Sequence, residues 1–461
     1  MRRALAVVAL VAVAAAALAL AQRLSQDRQY RRLLGDGEVA LRRGQSYVAI
    51  EAFSGALALR PESMVAYYRR GEAYREQRQD DKAIRDLREA RRLAPDAPQP
   101  LVALGVLYDL RGDHAAAAEW FSQAADRLKD ADPGVLYALA LARYRAGAPA
   151  AAQDPLRRAL AGDGTMAEAY YLLGLVDRDA QDIEGATTAL EQAVRIQPGL
   201  IAAREELADV YRARGRSIDE LDQLQALAAL DPEIERRVAF GLAEVRHGEL
   251  DSAIATLSDA TVLAPSSARA QVALGRAYLA RAERTGDRAA LAGAISTLKK
   301  VLDGSAPQSE GLALLGRALY VSGDYVAAAR VLRQATVTTP VDSEAFAFLA
   351  DTAERLGRPR EARDALIDLD LLQGDAASSG IRPARARRIG ALSISAGDPA
   401  AALAYLTRAI DGGQSDAGAF GLLARAKWQT GDATGAKLAL GQALALDARN
   451  AELQRLFRTI Q

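Results

Sequence analysis

The chain has 461 residues, 59 Lys and Arg against 59 Asp and Glu, two His, two Trp and no Cys. That excludes disulfides, thiolate metal sites, a catalytic thiol and a lipidated N-terminal Cys, and two His cannot supply a histidine cluster. The balanced charge gives no reason to expect nucleic acid as a partner, and a hydrophobic half with only 5% aromatic residues favours many thin, closely packed helices.

Residues 4–21 form an uninterrupted apolar run between Arg2-Arg3 and Gln22-Arg23. As a helix it would be about 27 Å long, just enough for a hydrocarbon core of about 30 Å. The segment 1–29 is therefore expected to be a transmembrane anchor. The alternative is a cleaved export signal, for which Ala19-Leu20-Ala21 offers an A-x-A site. Arg2 and Arg3 oppose Arg23, Arg28, Arg31 and Arg32, which leaves the orientation open. Either reading places the remainder outside the cytoplasm, as the extracytoplasmic part of a single-pass inner-membrane protein or as a periplasmic or secreted one.

From Tyr30 onward the chain repeats with a period of 34. Gly37, Gly71, Gly105, Gly174, Gly241, Gly275, Gly316 and Gly390 sit mid-way through a first helix. Ala49, Ala83, Ala117, Ala152, Ala186, Ala253, Ala294, Ala328, Ala362, Ala402 and Ala436 mark a second. Residues 98–129 show the unit. Leu101, Leu104, Gly105 and Tyr108 recur at helical spacing, Arg111-Gly112-Asp113 makes the turn, and Ala117, Phe121 and Ala124 form the second stripe. Gly112 suits a left-handed helix end and Asp113 the next N-cap. The same turn Gly recurs at Gly44, Gly147, Gly215, Gly248, Gly323, Gly357, Gly397 and Gly431. One unit cannot bury its own apolar face, so the units must stack.

Residues 30–450 span 13 more residues than twelve units of 34, and the excess falls near 283–289 and 374–382. Residues 451–461 carry Leu453, Leu456, Phe457 and Ile460 on one face, as a capping helix would. Two units depart from the pattern. The sixth has Glu220 where the small Ala belongs. The fourth has Pro155 in its second helix, where Asp154-Pro155 predicts a late start and a shortened helix.

The pattern resembles the tetratricopeptide repeat, on Tyr67, Gly71, Tyr74, Ala83, Leu87, Ala90 and Pro95, and again on Tyr170, Leu173, Gly174, Ala186, Leu190, Ala193 and Pro198. With the leader, it resembles members of the bacterial envelope type. The resemblance implies an all-α, right-handed superhelical solenoid of about twelve helix-turn-helix repeats that binds partners along the concave face of its first helices. Carried onto this sequence, that face holds Tyr68, Arg75, Tyr137, Tyr144, Tyr171, Arg178, Arg212, Arg276, Arg317, Tyr320 and Trp428. The family's Asn-based clamp for a C-terminal carboxylate is not expected, because Asn450 is the only Asn.

Nothing converges as an enzyme site would, so no catalytic, cofactor or metal site is expected. Glu205-Glu206 and Asp368 with Asp370 read as solvated faces, and His114 and His247 as surface turn residues. The Gly runs lack a following Lys-Ser/Thr. Only six of the 59 basic residues are Lys. The expected function is a non-catalytic protein-interaction scaffold with proteins or peptides in the groove and a membrane at residues 4–21. The alternative is an envelope solenoid that handles an anionic glycan or serves polysaccharide secretion, which an Arg-lined groove would suit.

Overall fold

The computed structural model describes residues 2–128, 132–302, 308–374 and 381–460, and for residues 2–9, 11, 12, 302 and 381 it describes the backbone alone. Among the described residues there are twenty-five α-helices and no strand, an all-α solenoid of short helix pairs. They divide between two compact units, Met1–Arg216 and Ser217–Gln461. The first unit contains α1 (Arg2–Arg42), α2 (Ser46–Leu59), α3 (Met64–Glu76), α4 (Asp80–Leu93), α5 (Pro98–Leu110), α6 (His114–Arg127), α7 (Pro133–Arg145), α8 (Pro149–Gly162), α9 (Ala167–Asp179), α10 (Ile183–Ile196) and α11 (Ile201–Ala213). The second contains α12 (Ser217–Leu230), α13 (Ile234–His247), α14 (Leu250–Leu263), α15 (Ala268–Thr285), α16 (Arg288–Leu302), α17 (Ser309–Ser322), α18 (Tyr325–Val337), α19 (Ser343–Arg355), α20 (Pro359–Gln373), α21 (Ile381–Ala396), α22 (Pro399–Asp411), α23 (Ala417–Gln429), α24 (Ala433–Leu446) and α25 (Ala451–Ile460).

Turn chemistry sets the helix ends. Gly112 takes φ 79° after α5, a left-handed conformation that a Cβ disfavours. Asp113 then accepts a hydrogen bond from the Ala116 amide at 3.1 Å, capping α6. Two turns manage without Gly: Arg78 and Gln181 stand at φ 53° and 62°.

In the helix pairs within each unit, the small residue of the first helix lies under the large residue of the second. A Cβ placed on Gly37 would come within 2.5 Å of the Phe53 ring, and one on Gly105 within 2.7 Å of Phe121. In the fourth, tenth and twelfth pairs the first helix carries Ala140, Ala350 and Ala424 instead, all fully buried, and the second supplies Leu156, Leu366 and Leu440. Burying each such Leu stabilises the stack by about 1.5–3 kcal/mol.

Several departures have specific geometries. The fourth pair is not shortened: α8 begins at Pro149 and runs straight through Pro155, because Pro149 takes the first-turn position that the sequence reading gave to Pro155. The insertion near 283–289 lengthens α15 to 18 residues. Gly286 closes that helix at φ 72°, and Asp287 accepts from the amides of Ala289 and Ala290 to begin α16. At the 374–382 insertion, α20 ends at Gln373 and α21 begins at Ile381, while residues 375–380 lie outside the described residues.

Glu220 is 1% exposed. Its carboxylate accepts from Arg246 at 2.6 Å and bonds the His247 ring at 2.9 Å, so α12 is tied to α13 by charge. His247 is therefore a mostly buried partner of Glu220, with a 19% exposed side chain, and not the free surface residue the sequence suggests. α25 covers α23 and α24 with Leu453 and Ile460, whereas Phe457 is 42% exposed and lies off that face.

The apolar run 4–21 and the first repeat helix form one continuous helix, α1. Among the described residues no helix is long and apolar enough to cross a membrane. The side chains of residues 4–9, 11 and 12, on which the span reading rests, lie outside that description.

Candidate partner-binding groove

First helices α3, α5 and α7, with the residues that lead into α7, line an open cleft of about 350 Å³. Tyr68, Glu72 and Arg75 come from α3, Gln99, Val102 and Val106 from α5, and Leu128, Asp132 and Val135 from the approach to α7 and its first turn. Two residues predicted for the groove, Tyr68 and Arg75, thus share one concavity. The aliphatic wall was missed. Its signal lies in the register, since Val102 and Val106 stand one period after Tyr68 and Glu72, but a Val on a first helix cannot be told by type from a packing residue.

Tyr68 donates to Glu72 Oε1 at 2.9 Å, and burial together with the Glu72 charge pushes its phenol up to about 12. Glu72 Oε2 accepts from Arg69 at 2.8 Å. Asp132 is likewise committed, accepting from the Gly134 amide at 2.7 Å. Arg75 is half-buried, and among the described residues its side chain has no hydrogen bond or ion pair.

The other predicted Arg residues are neutralised. Arg178 is held by Glu206 and Asp179, Arg212 by Asp209 at 2.6 Å, and Arg276 by Glu310 at 2.6 Å. Arg317 forms a two-bond pair with Glu283, each bond 2.8 Å, and its guanidinium lies over Phe348. The basic run on α21 is similarly occupied: Arg387 pairs with Asp416, and Arg388 with Asp351 and Glu354. With four of the five groove Arg residues paired to carboxylates of the same chain, the charge that suited an anionic glycan is largely compensated.

The aromatic residues also divide. Tyr137, Tyr144 and Tyr171 are half-buried, and burial raises the phenol pKa of each. Tyr320 packs against Tyr325 and Phe348, with ring centroids 5.5 and 5.9 Å away, so it belongs partly to the core. Trp428 is 39% exposed. On α9 Leu172 is packed, 2% exposed, while its neighbour Leu173 is half-buried.

A model of the tetratricopeptide repeat matches residues 34–98, 77–134, 238–309 and 314–376. Two further models of the same repeat match 393–458 and 167–199. The first alone covers more than half of the chain, and the chain belongs to the tetratricopeptide repeat family. Repeats of this kind typically serve as protein-interaction scaffolds. Among solved structures, the chain is similar to YrrB, described as a TPR protein with an unusual peptide-binding site, at 18% identity over 40% of this chain and 95% of that one, TM-score 0.37. It is similar to MamA at 26% identity over 35% and 93%, TM-score 0.34. It is similar to a tetratricopeptide repeat protein from Parabacteroides merdae at 14% identity over 54% and 99%, TM-score 0.39. No curated protein is significantly similar to the chain.

Proposed function

We propose that this chain is a non-catalytic adaptor that holds extended segments of partner proteins along its first helices. Its apolar leader attaches it to, or carries it across, the bacterial cytoplasmic membrane. The observation that carries the binding reading is the α3–α5–α7 cleft, in which apolar side chains and an uncompensated cation stand open on the first helices. Aromatic and Arg side chains in such positions tend to dominate interface energetics. The leader reading rests on the length and purity of the run 4–21.

Site-specific photocrosslinking of the full chain in cells tests the binding reading. A photoreactive residue replacing Val106 in the cleft is expected to give adducts of discrete mass, and one replacing the exposed Tyr47 of α2 is not. Equal labelling at both positions, or none at Val106, would sink it.

A further inference from the structure

We infer that the α3–α5–α7 cleft selects an internal, extended peptide segment in which an Asp or Glu side chain lies two residues from an aliphatic one. The inference rests on the adaptor reading above and specifies its ligand. Along the first helices, other cations find a carboxylate on a neighbouring repeat, as Arg178, which stands in the register of Arg75, does with Glu206, and Arg317 does with Glu283. Arg75 does not. The acidic residue one period further on, Asp109, is already taken, because its two oxygens meet the His114 ring and Arg145, each at 2.7 Å. The nearer carboxylates in the cleft are spent on Tyr68, Arg69 and the Gly134 amide.

Arg75 is therefore a half-buried guanidinium that has lost part of its hydration and, among the described residues, gained no counter-ion. A planar fork of this kind recognises a carboxylate with two parallel hydrogen bonds. Val102, Val106 and Val135 line the same cleft with side chains that carry no charge, which suits an aliphatic side chain. In an extended chain, residues two apart point to the same side, about 7 Å from one another. One strand can then place an acid on Arg75 and an aliphatic group on the valines. The row of first helices continues on both sides, with α1 in contact with α3 and α7 with α9. A peptide can run through instead of ending there, so the acid is a side chain and not a chain terminus.

The test is selection of a phage-displayed library of random dodecapeptides on the full-length chain, followed by fluorescence polarisation with the enriched peptides. Acid–x–aliphatic or aliphatic–x–acid patterns are expected. Arg75→Gln should weaken them by about tenfold or more at unchanged far-UV circular dichroism, and selection on Arg75→Glu should shift toward Lys- and Arg-containing peptides. Peptides that lose binding with Val106→Glu but show no acidic preference and no response to Arg75→Gln would overturn the inference and leave the adaptor reading standing. Failure to enrich any cleft-dependent peptide would overturn both.

Discussion

The carbonyl of Ala151 in α8 takes its hydrogen bond from Arg143 of α7, at 2.8 Å. In a regular helix that acceptor would be served by the amide four residues on, but position 155 is Pro and has none. An Arg of the facing helix thus supplies the missing donor, and α8 continues where the sequence alone predicts a shortened helix. Arg143→Ala is expected to lower protection against hydrogen exchange in α8 by about 1 kcal/mol. In a Pro155→Ala background, where the backbone donor is restored, the same change should cost close to nothing. Equal costs in both backgrounds would show that Arg143 and Pro155 are unconnected.

Gly105 and Phe121 should be coupled in the same sense. Adding a methyl group to Gly105 drives it into the ring, so Gly105→Ala is expected to destabilise the third pair by about 1–3 kcal/mol, the usual range for overpacking. Phe121→Leu in the same molecule recreates the Ala–Leu combination of the fourth, tenth and twelfth pairs. Thermal melts of the four chains should show the double variant above the Gly105→Ala single.

Arg78 and Gln181 occupy left-handed turns that Gly fills in most other pairs. Gly avoids the Cβ conflict at the cost of a more flexible unfolded chain. Arg78→Gly and Gln181→Gly should each raise stability by about 0.5–1 kcal/mol, read by chemical denaturation. Arg111→Gly, which lies one residue before the left-handed position, serves as the control and should not stabilise.

Asp177 is buried on α9, and that burial raises its carboxyl pKa; Gln153 opposes the shift and the nearby Asp182 charge adds to it. The folded chain then favours the protonated form. The contribution to stability is fully present below the unfolded value near 3.8 and is lost as pH rises through the folded value. Asp177→Asn, which keeps an oxygen for the Gln153 amide, should raise the melting temperature at pH 7 and leave it unchanged at pH 3. A gain of equal size at both pH values would assign the effect to something other than ionisation.

For the leader, Val8→Arg with Leu10→Arg should cost about 2.5–3.5 kcal/mol per residue on the membrane-insertion scale and move the chain from the membrane to the soluble fraction. Unchanged fractionation would reduce residues 4–21 to an ordinary helix, and intact-mass measurement of the N-terminus separates an anchor from a signal cleaved after Ala21.

The repeat register was legible because it is written in residue size. Gly105 under Phe121 and Gly71 under Leu87 are forced by packing, so period and fold follow from the letters alone. The site was half legible. Tyr68 and Arg75 could be found because their types are distinctive, yet which cations remain available depends on partners about one period away, such as Glu310 for Arg276. No local pattern shows that Asp109 is already spent on Arg145 and His114. Pro155 misled for a related reason: its remedy sits on another helix.

The pairing of Arg276 with Glu310 also bears on how the chain could be divided. A cut between α16 and α17 would leave the cation on one fragment and the carboxylate on the other. The apolar cluster that joins Val272, Leu279 and Leu298 to Leu312 and Leu315 would be opened along the same plane. Each piece would carry half of a complementary surface, matched in both charge and shape. Co-expressed halves should therefore recombine in register, which makes this junction a natural place to split the protein for complementation assays.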